Sequence, residues 1–308
     1  MSELHAAAAD YLAMRRKLGF TLKGADVLLA DFVDYLRHTK VEHITVDAAL
    51  SWATRPQGVQ PIWWHQRLGL VRGFAQYMKT REELTEIPPQ DLLPAVYSRI
   101  TPYLYSAADI AALMRACRSL NPALRAATYQ SLIGLLAVSG LRISEAINID
   151  RDDLDMSGFS LLVRHSKAGS SRRVPLHATT VAALAGYAQQ RDLHFPVPVS
   201  EAFFVSIRGT RMCQSAVNPT FRELIHQAGL EGHGPRCRPR IHDLKHSFAV
   251  TTILRWYRQG ADVDAHLPLL SATLGHVDPS STYWYLQASP ELFALTADRL
   301  GELMGGTR

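Results

Sequence analysis

Apolar residues recur with the period of an α-helix over residues 1–80. Two runs carry the pattern, one made of Leu28, Leu29, Phe32, Val33 and Leu36, the other of Trp64, Leu68, Val71, Phe74, Ala75 and Met78. Apolar residues three and four positions apart lie on one face of a helix, where they can pack into a core. Thr45 is a suitable N-cap for a further short helix that begins at Val46. The pattern predicts a helical N-terminal domain over residues 1–84.

Prolines interrupt this periodicity between residues 81 and 102. They stand at Pro88, Pro89, Pro94 and Pro102. Proline cannot continue a helix, and it favours extended backbone at the residue before it. We therefore place an interdomain linker at residues 85–102.

Helical periodicity resumes after Ser106, which resembles the start of a capping box completed by Asp109. Helices are predicted at 107–119, 122–139, 143–149, 178–191, 214–228, 243–258, 264–273, 280–288 and 291–304. The stretches 159–164 and 172–176 flank a Gly-Ser turn and are typical of a β-hairpin. We expect a mainly α protein, in which the helical N-terminal domain precedes a mostly α domain, residues 103–308, with a small β-hairpin or sheet.

Composition and charge narrow the class of protein. The 308 residues suffice for two domains, and an apolar share of 47% argues against disorder. The net charge of +5 suits a polyanionic partner such as DNA. Three widely spaced cysteines, Cys117, Cys213 and Cys237, favour a reduced environment. With no signal peptide evident and with the apolar stretch 132–141 too short to span a bilayer, we expect a cytoplasmic protein without a membrane partner, associated with the nucleoid when bound to DNA.

Two candidate cations lie in the middle of the chain. Arg142 follows Gly140 and Leu141 between two apolar helices, where an arginine needs a carboxylate or a phosphate; an ion pair with Glu145 is the simpler alternative. Lys167 lies near the tip of the predicted hairpin, where it could reach a nucleic acid or be an ordinary solvated turn residue.

Two further segments carry histidines and a tyrosine. His242, Lys245 and His246 have the spacing of one helix face, and they lie at the start of a predicted helix, a favourable place for an anion. The Leu-Gly-His segment that ends at His276 precedes Tyr285 by nine residues.

These segments, in this order and at these spacings, resemble the tyrosine recombinase (phage integrase) family over residues 101–300. The resemblance implies a catalytic set of Arg142, Lys167, His242, Lys245, His276 and Tyr285. It selects Tyr285 as the nucleophile over Tyr283, so that Tyr283 and Trp284 are expected to be packing residues. In this family the tyrosine forms a covalent 3′-phosphotyrosine bond with DNA, without a metal ion or any other cofactor.

The resemblance also implies partners. A core-site-binding domain at residues 1–84 and a catalytic domain would bind double-stranded DNA at inverted-repeat core sites, as a dimer on each site and a homotetramer around a Holliday junction. The segment 267–290 is most similar to recombinases of bacterial transposons, for which partner recombinases are plausible. The predicted helix 291–304 would dock on a neighbouring protomer or on its own domain. Expected DNA-binding residues are Arg72, Arg172, Arg173 and Arg240.

One position departs from the family. Lys245 stands where the family has an arginine. The planar guanidinium of arginine can contact two phosphate oxygens at once, whereas the ammonium of lysine is a point charge on a flexible side chain. Reduced cleavage is therefore expected. Three alternatives remain open: a DNA-binding protein that keeps the fold without catalysis, a type IB topoisomerase, and a metallohydrolase that uses the zinc-helix spacing of His242 and His246.

Overall fold

A computed structural model describes residues 3–95, 101–164, 171–234, 237–276, 278 and 280–287. The chain divides into two compact units, Met1–Arg99 and Ile100–Arg308. The division falls inside the proline-containing stretch 85–102. Lys167 and the predicted helix 291–304 lie outside the described residues.

Within its described residues, the first unit consists of α1 (Glu3–Lys17), α2 (Ala25–Thr39), α3 (Val46–Thr54) and α4 (Pro61–Lys79). Both apolar runs of the sequence contribute to a single core, in which Leu29, Phe32 and Trp52 are inaccessible to solvent. Thr45 caps α3 as predicted, because its side chain accepts a hydrogen bond from the backbone N–H of Ala48 at 3.1 Å. The helical fold predicted for this region is confirmed.

The residues after α4 pack back onto the first unit. The Arg72 guanidinium donates hydrogen bonds to the carbonyl oxygens of Pro88, Pro89 and Gln90 at 2.6–3.0 Å. Leu93 packs against the core of this unit. Arg72, which we expected to face DNA, is therefore a half-buried side chain that holds the proline-rich segment in place.

The described part of the second unit is also mostly helical. Its helices are α5 (Ala107–Ala116), α6 (Ala123–Ser139), α7 (Ile143–Ile147), α8 (Ala178–His194), α9 (Gln214–Gln227), α10 (Asp243–Arg258), α11 (Val263–Leu274) and α12 (Ser280–Tyr283). Short 3₁₀ turns occur at Cys117–Ser119, Arg151–Asp153 and Trp284–Gln287. The predicted capping box at the start of α5 is present, with reciprocal hydrogen bonds between Ser106 and Asp109.

A small antiparallel sheet interrupts these helices. Its strands β1 (Leu154–Asp155), β2 (Ser160–Val163) and β3 (Arg172–Pro175) are arranged in the order β1-β2-β3. Strands β2 and β3 are the predicted hairpin, with Leu161 opposite Val174. Strand β1 was not predicted, because two residues are too few to show an alternating pattern. The mainly α fold with a small sheet is confirmed.

Two apolar clusters hold the second unit together. The larger involves α5 to α9 and the sheet, and it buries Leu132, Ile133 and Phe204. The smaller lies between α10 and α11 and includes Ile253 and Tyr285. Across the described parts of both units, every helix is too short or too polar to span a bilayer.

Candidate active site

Arg142 enters the site at a sharp turn between α6 and α7. Gly140, at the C-terminus of α6, has a φ of 64°, and a Cβ atom there would lie 2.6 Å from side-chain atoms of Leu274 and Phe248. Only glycine allows both this conformation and this close approach. Two residues later, the Arg142 guanidinium donates to the Gly275 carbonyl oxygen at 3.1 Å. The turn therefore brings Arg142 against the segment that ends in His276.

Glu145 joins two arginines. Its carboxylate accepts hydrogen bonds from Arg142 at 2.9 Å and from two nitrogens of Arg172 at 3.1 and 2.9 Å. Burial raises the pKa of Glu145, but the hydrogen bonds and charges of both arginines outweigh it, so the pKa lies below its ordinary value. The ion pair that we weighed as the alternative for Arg142 is thus present.

Arg172 points into the protein. Besides contacting Glu145, its Nε donates to the Thr273 carbonyl oxygen at 2.9 Å, and its side chain is 13% exposed. Arg172, which we expected to bind DNA, therefore has its guanidinium bound within the protein. Strand alternation could have indicated this, since Arg172 shares a face with buried Val174, whereas Arg173 lies on the exposed face.

Lys245 occupies an enclosed position on the first turns of α10. Its ammonium group donates hydrogen bonds to the carbonyl oxygens of Gly140 at 2.8 Å and Leu274 at 2.6 Å, and the residue is 2% exposed. Burial, with a further contribution from the charge of Arg142, lowers the pKa of Lys245 to about 7. Lys245 links the turn that carries Arg142 to the turn that carries His276.

His242 lies at the N-cap of α10 with an exposed ring. The protein atoms packed around this ring, and then the charge of Lys245, lower its pKa. The neighbouring Arg240 donates two hydrogen bonds to the fully buried carboxylate of Asp243, at 2.7 and 3.1 Å. Arg240, another expected DNA-binding residue, thus has its guanidinium bound to α10.

His276 and Tyr285 face each other. Their rings stack with centroids 6.0 Å apart, and the His276 Nδ1 lies 2.7 Å from the Thr282 hydroxyl. Burial, then the charges of Lys245 and the arginines, lower the pKa of His276 to about 4. Tyr285 is 2% exposed, and burial raises its pKa to about 12 against an opposing effect of Arg142. Tyr283 is 49% exposed, so our expectation that it is a packing residue is wrong.

His246 is a site residue that we did not assign from the sequence. Its Nδ1 lies 3.2 Å from the Tyr285 hydroxyl oxygen, and its ring contacts those of His242 and Trp284. The signal was its position four residues after His242 on one helix face, which we noted only as a shared face and as zinc-ligand spacing. Within the described ranges, no three His, Cys, Asp or Glu side chains form a metal-binding group, so this spacing has no third ligand there.

The described structure thus brings together Arg142, His242, Lys245, His276 and Tyr285 from the predicted catalytic set. These residues are spread over more than a hundred positions of the sequence, yet α10 contacts both the Arg142 turn and the Tyr285 segment. Such an assembly offers a guanidinium, imidazole groups and a phenol close together, and these are groups that phosphoryl transfer can use.

Comparison with known sequences gives one family. The model of the phage integrase family matches residues 105–291. The chain is 42% identical to the Sinorhizobium fredii protein y4rB, whose name proposes an integrase/recombinase, over 97% of this chain and 98% of y4rB. It is 26% identical to the tyrosine recombinase XerC of Chlamydia pneumoniae, over 73% of this chain and 67% of XerC.

Comparison with solved structures gives the same fold. The XerH site-specific recombinase bound to palindromic difH substrate aligns with a TM-score of 0.65 and 18% identity, over 91% of this chain and 77% of XerH. The Tn1549 transposon integrase bound to transposon right end DNA aligns with a TM-score of 0.63 and 16% identity, over 97% and 99% of the two chains.

Proposed function

Because this chain belongs to the phage integrase family, we propose that it is a site-specific DNA recombinase whose nucleophile is Tyr285. The supporting observation is the environment of that tyrosine. A buried phenol stacks on His276, its hydroxyl contacts His246, and the Arg142 guanidinium lies close enough to affect its pKa. Two histidines and an arginine beside a phenol are the groups that phosphoryl transfer to a tyrosine needs.

Arg142, His242 and His276 would bind the scissile phosphate. Each terminal nitrogen of Arg142 carries two hydrogens, so the bonds to Glu145 and Gly275 leave a second hydrogen on each for a phosphate oxygen. The Nδ1 of His276 is bound to Thr282, which leaves its Nε2 to face the phosphate. These donors stabilise the charge that accumulates on the non-bridging oxygens.

The reaction proceeds by two transfers of the same phosphoryl group. The Tyr285 oxygen attacks phosphorus while its hydroxyl proton is released to solvent, the bond to the 5′ oxygen breaks, and Lys167 supplies a proton to that leaving oxygen. The 5′ hydroxyl of another strand then attacks the 3′-phosphotyrosine and releases the phenol. No cofactor is needed, since the covalent bond conserves the energy of the phosphodiester.

The assembly would be a dimer on each inverted-repeat core site and a tetramer around a Holliday junction, with residues 1–84 binding the core site. Transposition or integration of a mobile element is the corresponding process. Lys245 makes cleavage slower than an arginine would, because its ammonium is engaged with two carbonyl oxygens and cannot offer a two-pronged contact to phosphate. Loss of a preorganised donor costs about a hundredfold to a thousandfold in rate.

The test is covalent adduct formation on nicked DNA from the ends of the element that encodes the protein. We expect an adduct that resists denaturation with the unchanged chain, a larger yield with Lys245→Arg, and none with Tyr285→Phe. Tyr283→Phe is the matched control, because it removes a phenol hydroxyl from the tyrosine two residues earlier in the chain. It should behave like the unchanged chain.

Two results would contradict the proposal. An adduct formed by Tyr285→Phe would assign the nucleophile elsewhere. Specific DNA binding without any adduct, from both the unchanged chain and Lys245→Arg, would favour a DNA-binding protein that has the recombinase fold without its chemistry.

A further inference from the structure

A hydrogen bond joins the nucleophile to α10. The His246 Nδ1 and the Tyr285 hydroxyl oxygen are 3.2 Å apart, and the centroids of the two rings are 5.5 Å apart. Tyr285 lies on the 3₁₀ turn Trp284–Gln287, whereas His246 lies in the first turn of α10, which also carries Lys245. The contact therefore ties the position of the nucleophilic oxygen to the helix that links the Arg142 and His276 turns.

The ring of His246 is suited to accept this bond. Burial, then the charges of His242, Arg240 and Lys245, lower its pKa to about 3, so the ring stays neutral at physiological pH. A neutral imidazole has one nitrogen with a lone pair, and with its hydrogen on Nε2 it accepts through Nδ1. The Tyr285 phenol keeps its proton under the same conditions, because burial raises its pKa to about 12. Donor and acceptor are therefore complementary.

The neighbouring histidine has a different position. The ring of His242 is exposed and stands edge-on to His246, with centroids 4.8 Å apart. Within the described residues, the Tyr285 hydroxyl forms its hydrogen bond with His246. His242 is thus placed toward an incoming phosphate, and His246 toward the nucleophile.

We propose that His246 is a positioning residue, which accepts the Tyr285 hydroxyl hydrogen bond and so fixes the nucleophilic oxygen for attack on the scissile phosphate. This inference rests on the proposed function. Stacking on His276 and contact with Trp284 restrain the plane of the phenol ring, and His246 restrains the direction of its oxygen. Since a displacement of about 1 Å can cost about a hundredfold in rate, loss of this bond slows cleavage by about that factor.

Three substitutions test the position of the acceptor. In His246→Asn the amide oxygen can occupy the place of Nδ1, in His246→Gln it reaches the place of Nε2, and His246→Ala has no acceptor. Single-turnover adduct formation on nicked DNA should fall about a hundredfold for His246→Ala and His246→Gln. His246→Asn should recover to within about tenfold of the unchanged chain. Gel-shift affinity and thermal unfolding of each variant establish that it binds DNA and is folded.

A second measurement separates an effect on the tyrosine from an effect on the phosphate. In the Tyr285→Phe background, DNA that ends in a 3′ p-nitrophenyl phosphate can still be joined: a 5′ hydroxyl attacks phosphorus and p-nitrophenolate leaves with the bonding electrons. If His246 acts through Tyr285, adding His246→Ala should leave this joining rate unchanged within about twofold.

Other outcomes would overturn the inference. Equal loss of joining in the Tyr285→Phe background would mean that His246 acts on the phosphate. Adduct formation by His246→Ala at or above the rate of the unchanged chain would mean that the bond is dispensable or that it holds the nucleophile in an unreactive position. Failure of the proposed function is distinguishable from both, because then the unchanged chain would form no adduct or Tyr285→Phe would form one.

Discussion

Glu145→Gln should destabilise the second unit strongly. The Glu145 side chain is 6% exposed, and it carries the negative charge between Arg142 and Arg172, whose side chains are 23% and 13% exposed. Glutamine keeps the shape but removes the charge, and it presents an N–H₂ group where one arginine needs an acceptor. Both guanidinium groups then remain within the protein without their anion.

The expected magnitude follows from this burial. Removing one partner of a buried ion pair costs about 3–5 kcal/mol, because the remaining charge is poorly solvated. For a unit of this size, each kcal/mol corresponds to a change of about 2–4 °C in Tm, so the transition of the second unit should fall by roughly 6–20 °C. Adduct formation should fall as well, since Arg142 loses the carboxylate that orients it.

Thermal unfolding at pH 7, followed by circular dichroism, is the assay. Glu223→Gln is the matched control: it makes the same chemical change on the exposed surface of α9 and should shift Tm by no more than about 2 °C. The pKa of Glu145 is lowered in the folded state, so its stabilisation is full above the ordinary carboxyl pKa and is lost as pH falls through the folded value. The gap between the unchanged chain and Glu145→Gln should therefore narrow below about pH 4. A shift at pH 7 as small as that of Glu223→Gln would refute the reasoning.

Two further substitutions test the surroundings of Arg142. The pKa of Lys245 in the folded protein is about 7, so between pH 7 and 9.5 the folded protein loses a proton that the unfolded chain keeps. The Tm of the unchanged chain should therefore rise relative to that of Lys245→Met over this pH range. A Tm difference that does not depend on pH would contradict this. Gly140→Ala should lower the free energy of unfolding by about 1–3 kcal/mol or more, because residue 140 has a positive φ and a Cβ atom there would clash with Leu274 and Phe248. The same change should abolish adduct formation. Gly186→Ala, within α8 and with open space around it, should be neutral or stabilising by up to about 1 kcal/mol; equal Tm values for the two alanine variants would be inconsistent with this account.

Local rules were sufficient for most of the fold. Thr45 and Ser106 cap helices where the sequence predicted, because a capping bond spans only three residues. The β2–β3 hairpin was predicted because both strands and their turn are contiguous. Strand β1 could not be predicted in this way, because it forms only against its partner strand and its two residues show no periodicity.

The site was only partly predictable for a related reason. Family spacing assigned Arg142, His276 and Tyr285 to the candidate site, but spacing does not specify which side chains touch. The bond between His246 and Tyr285 joins residues 39 positions apart, and it depends on how α10 packs against the 3₁₀ turn. The carbonyl partners of Lys245 are likewise set by tertiary packing and leave no mark in the local sequence.

Arg172 connects three stretches of chain that are distant in sequence. It belongs to β3, binds Glu145 near the start of α7, and binds the Thr273 carbonyl oxygen near the end of α11. Replacing Glu145 leaves both Arg142 and Arg172 without their carboxylate, whereas replacing Arg172 leaves Glu145 paired with Arg142. Position 145 is therefore expected to change less readily during evolution than position 172, and a hairpin transplanted from a relative that lacks this arginine should be accepted as long as Glu145 is kept.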